Sequence, residues 1–127
     1  MLLAFLAQLT AGTAPAPVPP APPADWSGLP ELSILRNWSS DPRLSDFVRD
    51  EVAAGRCAAG AAGRVDVDLA LLVAADGQVR RIVPRAIGCA TVEQYATGLA
   101  SQMIRRNVAI PEAEGWFRTT IRFAWAG

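Results

Sequence analysis

Three aspartates, two cysteines and a set of arginines are the residues of this chain whose types and spacing invite a chemical reading. Asp66 and Asp68 sit two apart on a strand-like run, so their carboxylates share a face, as a general acid–base pair requires. The same spacing also makes a solvated or arginine-paired strand face, and that reading is favoured. Asp76 precedes Gly77 and is read as a turn residue. All twelve basic residues are arginine, and there is no histidine. Ser-His-Asp and Cys-His catalysis, imidazole zinc sites, Schiff-base chemistry and a phosphate-loop lysine are therefore excluded. The run GRCAAGAAGR lacks both the lysine and the spacing of a phosphate-binding loop. No enzymatic activity, cofactor or metal is expected. Twelve acidic residues balance the arginines to a net charge of zero, so nothing pulls the chain generally toward nucleic acid or acidic membranes.

Cys57 and Cys89 are the only cysteines. No other soft ligand accompanies them, so they do not form a zinc motif. In an exported chain the even count reads as one disulfide, and in a cytosolic chain as inert core thiols. The N-terminus favours export. Residues 2–9 are an apolar run broken only by Gln8, followed by A-x-A-like sites ending at Ala14 and Ala16. That is the pattern of a cleaved signal peptide over residues 1–16, although no Lys or Arg precedes the run. The run is too short to span a bilayer, which needs about 20 apolar residues, so no stable membrane anchor is expected. Residues 17–40 begin with alternating proline and alanine, read as a solvated polyproline tether, and continue into an irregular segment whose Trp26 and Trp38 should pack on the domain.

Residues 41–127 carry one domain whose elements must position these side chains. Asp41 and Pro42 open a helix over about 42–54, which Gly55 stops. Val65 to Val73 has period two and one fully apolar face, Val65, Val67, Leu69, Leu71 and Val73. Asp76-Gly77 predicts a two-residue type I′ hairpin to a return strand, residues 78–87, whose Pro84 places it at a sheet edge. In that register Asp68 faces Arg85, Leu71 faces Ile82 and Val67 faces Ala86, unless a bulge near Pro84 intervenes. Thr91 to Arg106 reads as a helix, with Thr91 and Gln94 as a capping box, an apolar stripe at three and four spacing, and Arg105 and Arg106 against the negative end of its dipole. Asn107 can cap its end. A final strand, from Trp116, faces Phe117, Thr119, Ile121, Phe123 and Trp125 one way and Trp116, Arg118, Thr120, Arg122 and Ala124 the other. The fold class is α+β: a β-β-α-β core with a three-stranded antiparallel-type sheet of order 2-1-3, plus an N-terminal helix. The N-terminal helix and tryptophans should cover Leu72, Val79 and Val83, leaving strand three as a free edge.

The stretch VDVDLALLVAADGQVRRIVPRAIG, the helix TVEQYATGLASQMIRR and the run WFRTTIRFAW together resemble the C-terminal domain of TonB over about residues 65–125. The chain departs from that family in IRRNVAIPEAEG, which keeps Pro111 but lacks the aromatic Trp-Arg-Phe-x-Pro-like run. It also lacks the signal-anchor helix that meets an inner-membrane motor. Its proline segment would reach only some 30 Å at about 3.1 Å per residue, too little to cross a periplasm. The resemblance implies a periplasmic protein-binding domain that adds an extended segment of a partner, of the outer-membrane transporter type, to a sheet edge. The edge strand Trp116, Arg118, Thr120, Arg122 and Ala124 would flank that segment, its arginines meeting acidic partner residues. Edge pairing between two copies, giving a homodimer, uses the same surface. The competing reading is a small secreted, disulfide-stabilised structural or inhibitory domain with no transporter role, in which edge arginines only block aggregation.

Overall fold

The computed structural model describes residues 17–38, 41–58, 60 and 62–125; the expected signal peptide, residues 1–16, lies outside the described residues. A 3-10 turn, Pro42–Ser45, leads into α1 (Asp46–Ala53), followed by β1 (Arg64–Val73), β2 (Val79–Pro84), α2 (Ala90–Met103) and β3 (Gly115–Ala124). The sheet order is β2-β1-β3, and both pairings are antiparallel. The fold is thus α+β, with the three-stranded order expected from the element sequence. The α2 crossover lets β2 and β3 run in the same direction on either side of β1.

The hairpin differs from the expected one in its turn. Gly77 has φ +89° but Asp76 does not have positive φ, so the turn is not type I′. The Gly77 N–H bonds the Ala74 carbonyl at 2.9 Å and the Ala74 N–H bonds the Gln78 carbonyl at 2.8 Å. This is a three-residue loop, with Asp76 Oδ1 accepting from the Gln78 N–H. The loop moves the register by one residue, and a bulge between Leu72 and Val73 moves it back. From there Leu72 pairs with Arg81 and Leu71 with Ile82, as the sequence predicted. The price of the bulge is one extra residue, Arg80, and the flip of Val79 onto the same face as Val73. Val79 therefore packs under α2 and not on the second face. No bulge occurs at Pro84, which closes β2 on its outer side, where a missing N–H costs nothing. The Arg85 N–H continues the ladder to the Asp68 carbonyl at 2.9 Å, but the two side chains part company. Arg85 stacks over Trp26 at 4.1 Å, and Asp68 accepts from Thr120.

One sheet face is covered by α2. Val65, Val67, Leu69, Leu71 and Val73 meet Val92, Ala96 and Ala100 of the helix, together with Phe123, Ile121 and Val48. Ring contacts chain Phe47 to Tyr95 at 4.8 Å and Tyr95 to Phe123 at 5.7 Å, and the Tyr95 hydroxyl donates to the Leu44 carbonyl. The 3-10 turn and α1 therefore join this face, contrary to their expected place on the other. Helix α2 starts at Cys89 without the expected Thr91 and Gln94 box: Glu93 Oε2 instead accepts from the Ile87 and Cys89 N–H groups. At its other end Asn107 does cap, donating to the Met103 carbonyl.

The second face carries Ala70, Leu72 and Trp116, over which Val18, Trp26, Leu29 and Val83 pack. The described part of the proline-rich stretch is largely exposed but is held to the sheet at Val18, Pro19 and Pro20. Trp116 Nε1 donates to the Pro19 carbonyl at 2.9 Å and Arg81 to the Pro20 carbonyl at 2.7 Å. Both carbonyls belong to a run rich in prolines, which leave main-chain acceptors without matching donors.

Cys57 and Cys89 form a disulfide with Cα atoms 4.8 Å apart. A structural disulfide is at home in an oxidising compartment, which is the reading of export in its coarse form. Among the described residues, no helix is long and apolar enough to cross a membrane. Beside the bridge, the buried Glu51 of α1 bonds Arg56 at 2.7 Å and accepts from Thr91 of α2. Two linkages therefore fasten α1 and its following loop to the start of α2. Glycine at 60 is also required there: its φ is +92°, and a Cβ would lie 2.7 Å from Val65 Cγ2.

Reduction of the disulfide removes a cross-link over 32 residues, worth about 3–4 kcal/mol by loop-closure entropy. The Tm should fall by more than about 10 °C in calorimetry with and without reductant. A change within a few degrees would refute a structural role for the bridge. The Arg56 and Thr91 hydrogen bonds hold the Glu51 carboxyl below its usual pKa. Its contribution is present above about pH 4.3 and is lost as pH falls through the lowered value. Glu51→Gln should therefore show a flatter stability-versus-pH curve in acid than the parent, and equal slopes would disprove the linkage.

Candidate functional site

The outer edge of β3 is the surface that sequence and fold both bring forward. Its outward main-chain groups follow from the ladder. The Trp125 N–H reaches the Gly63 carbonyl, so odd residues of β3 bond inward to β1, and even residues turn their N–H and C=O groups away from the sheet. The five residues expected to flank a partner, Trp116, Arg118, Thr120, Arg122 and Ala124, are these even positions.

The edge is not free along its whole length, as the sequence had suggested. The chain's own segment Pro30–Leu32 lies parallel to it. The Arg118 N–H bonds the Pro30 carbonyl at 2.9 Å, and the Leu32 N–H bonds the Arg118 carbonyl at 2.8 Å. Beyond Leu32 the segment leaves β3 and pairs with the stretch after α2. The Ala109 N–H bonds the Ser33 carbonyl, and the Leu35 N–H bonds the Asn107 carbonyl. The buried Asn107 side chain fixes this departure, accepting from the Arg36 N–H at 2.7 Å and donating to the Arg36 carbonyl at 3.0 Å. The chain returns at the 3-10 turn, where buried Ser45 Oγ accepts from the Ala124 N–H at 3.1 Å.

Between these two caps lies a gap. Among the described residues, the outward N–H and C=O groups of Thr120 and Arg122 have no hydrogen-bond partner. The gap opens onto a cleft of about 420 Å³ lined by Trp38, Leu44, Leu99, Met103, Thr120 and Arg122 among others. Trp38 brings a second unmet group: its indole Nε1 is buried and has no partner among the described residues. A buried donor left unmade costs about 1–3 kcal/mol. The cleft therefore combines two strand residues' worth of open main chain and an apolar wall, with the buried, unmet Trp38 N–H beside it.

The side chains of the expected site are largely spoken for within the chain. Trp116 is buried in the second-face cluster. Arg118 pairs with Glu31 at 3.5 Å, and Arg122 with Asp66 at 3.0 Å. Thr120 donates to Asp68 at 2.6 Å, directly across the strands. Asp66 and Asp68 thus face β3 with a cross-strand partner each, and Asp76 braces its own turn. Among the described residues, no cluster of three or more acidic or cysteine side chains could hold a metal ion. Sequence reasoning missed Trp38, Ser45 and the segment Pro30–Leu32, which define the gap. Only Trp38 carried a signal, as a large aromatic residue beside a helix start.

No family model, curated protein or solved structure matches the chain.

The main-chain directions make a sharp contrast. Thr120→Pro removes an outward N–H and should leave the Tm within a few degrees of the parent. Thr119→Pro removes an inward ladder bond and should cost about 3 kcal/mol or more. Equal losses in thermal denaturation would show that the edge is not arranged as described.

Proposed function

We propose that this protein binds an extended segment of a partner protein by strand addition at the β3 edge, between Arg118 and Ala124. The observation that carries the reading is the open main chain of Thr120 and Arg122, whose outward N–H and C=O groups have no partner among the described residues and lie between two self-made caps. Their four main-chain groups can accept a short strand, and each bond is worth about 0.5–1.5 kcal/mol net. That is weak by itself, so side chains must supply the rest. Alternate residues of an added strand meet opposite faces. One set would enter the cleft against Leu44, Leu99 and Met103, and the other would lie beside Arg118 and Arg122. The favoured ligand is therefore an extended segment alternating apolar and acidic or polar residues.

The resemblance to the TonB C-terminal domain supports the same reading, because that family presents a sheet edge to a segment of an outer-membrane transporter. The element order, the Asp-Gly hairpin and the disulfide suit an exported, periplasmic domain of this kind.

Photo-crosslinking in the cell from a reactive residue placed at position 120, with adducts identified by mass spectrometry, tests the proposal. An outer-membrane transporter adduct that disappears in Leu99→Glu, which charges the apolar wall of the cleft, is the expected result. Trp38→Phe should leave the unbound protein as stable as the parent or more so, since it deletes an unmet donor. Adducts with its own copies alone would instead establish edge-paired dimers. Absence of any adduct would leave the secreted structural domain as the better account.

A further inference from the structure

The opposite side of the molecule holds a second groove, of about 630 Å³, between β2 and the C-terminal turn of α2. Four arginines line it: Arg80 and Arg81 from β2, and Arg105 and Arg106 from the turn after α2. None of the four has a carboxylate within ion-pair distance among the described residues, whereas six of the other eight arginines do: Arg43, Arg49, Arg56, Arg64, Arg118 and Arg122. Arg81 reaches only the Pro20 carbonyl. The single acid in the lining, Asp76, is turned to its own Gln78 N–H. A chain of zero net charge thus sets three arginines without a carboxylate partner, Arg80, Arg105 and Arg106, around one groove.

Two local explanations account for parts of this. Arg105 and Arg106 complement the negative end of the α2 dipole, and Arg80 and Arg81 blunt a sheet edge. Neither explains why Arg80 meets the helix-end pair across one cavity. The convergence is built in. The bulge adds Arg80 to β2, and Arg106 adopts φ +51°, a left-handed conformation that costs a non-glycine residue energy. The groove also contains main chain. Arg81, Val83 and Arg85 bond inward to β1, so Ile82 turns its N–H and C=O outward, without a partner among the described residues.

We propose that this groove docks an acidic, extended peptide segment of a partner protein, its backbone pairing with Ile82 and its carboxylates meeting Arg80, Arg105 and Arg106. A bare phosphate or a lipid headgroup would use the arginines and leave the strand edge unused. Charge complementarity and an open edge in the same cavity select the peptide. The proposal does not rest on the β3-edge reading, since it uses the opposite side of the sheet.

The test uses the full chain, labelled for NMR, and an acetylated peptide of alternating glutamate and threonine about as long as β2. Saturable shifts at Arg80, Ile82, Arg105 and Arg106 are expected, with slower hydrogen exchange at the Ile82 amide. Affinity should fall with salt, and by about tenfold or more in Arg105→Glu/Arg106→Glu. Arg80→Glu, on the other wall, should weaken binding similarly if the helix-end variant fails to fold. Thr120→Pro should leave binding unchanged, which separates this groove from the β3 edge. Full competition by inorganic pyrophosphate with no slowing at Ile82 would overturn the proposal in favour of a simple anion site. Binding to phosphatidylglycerol vesicles but not to the peptide, or no binding at all, would also overturn it.

Discussion

The structure depends on burying β1 from both sides. This central strand is ten residues long, and its last five positions, Leu69 to Val73, are apolar and buried on both faces of the sheet. A single crossover helix can cover only one of those faces. The other bears Ala70, Leu72 and Trp116, and the described residues form no second long helix to cover it. Buried apolar area stabilises at about 25 cal/mol per Å², so leaving a tryptophan and a leucine in water would forfeit several kcal/mol. The irregular segment before the first helix meets that requirement. It lays Val18, Trp26 and Leu29 over the second face and fastens itself with carbonyl acceptors from prolines.

That covering decides what remains open. A segment that crosses the second face must pass over one edge of the sheet, and it does so at Arg118, where it makes two parallel-strand bonds. It cannot stay there, because Asn107 takes hold of Arg36 and draws the chain toward the end of α2. Asn107 acts at three points at once: it caps α2, grips Arg36 through both ends of its amide, and accepts Leu35 on its carbonyl. The gap at Thr120 and Arg122 is the geometric consequence of this detour. The candidate site is thus a by-product of how the second face is covered, and its length is set by residues far from it in sequence.

Wherever periodicity spoke, the sequence was legible. The apolar face of β1, the stripe of α2, the alternation of β3 and the Asp-Gly signal together contained the α+β order β2-β1-β3. Composition and compartment pointed to the bridge between Cys57 and Cys89. The failures have a common physical form. The type I′ turn and the Val79 face were misjudged because a three-residue loop and a bulge cancel one another in register, leaving no trace in the pattern beyond Leu72. The segment 17–38 has no period because it follows no regular element. Its packing is dictated by the surface it covers, which exists only after the sheet has formed. Asp68 and Arg85 stand opposite one another as expected, but their side chains do not pair, for the same reason: Trp26, from that segment, offers Arg85 a flat partner.

The two edges of the sheet end up with opposite electrostatic characters. Arginines of β3 sit opposite acids placed for them by register or by the covering segment: Arg122 meets Asp66 and Arg118 meets Glu31. On β2, Arg81 is held by the Pro20 carbonyl, and Arg80 borders a groove whose other wall is also basic. Zero net charge is therefore an average over a neutralised edge and an uncompensated one. Because β2 and β3 run in the same direction, an added strand would find matching main-chain polarity at either side, and only the side chains could distinguish the two. Selectivity between edges must then come from charge on the β2 side and from the apolar cleft under Trp38 on the β3 side, a division of labour that the covering segment and the α2 terminus impose together.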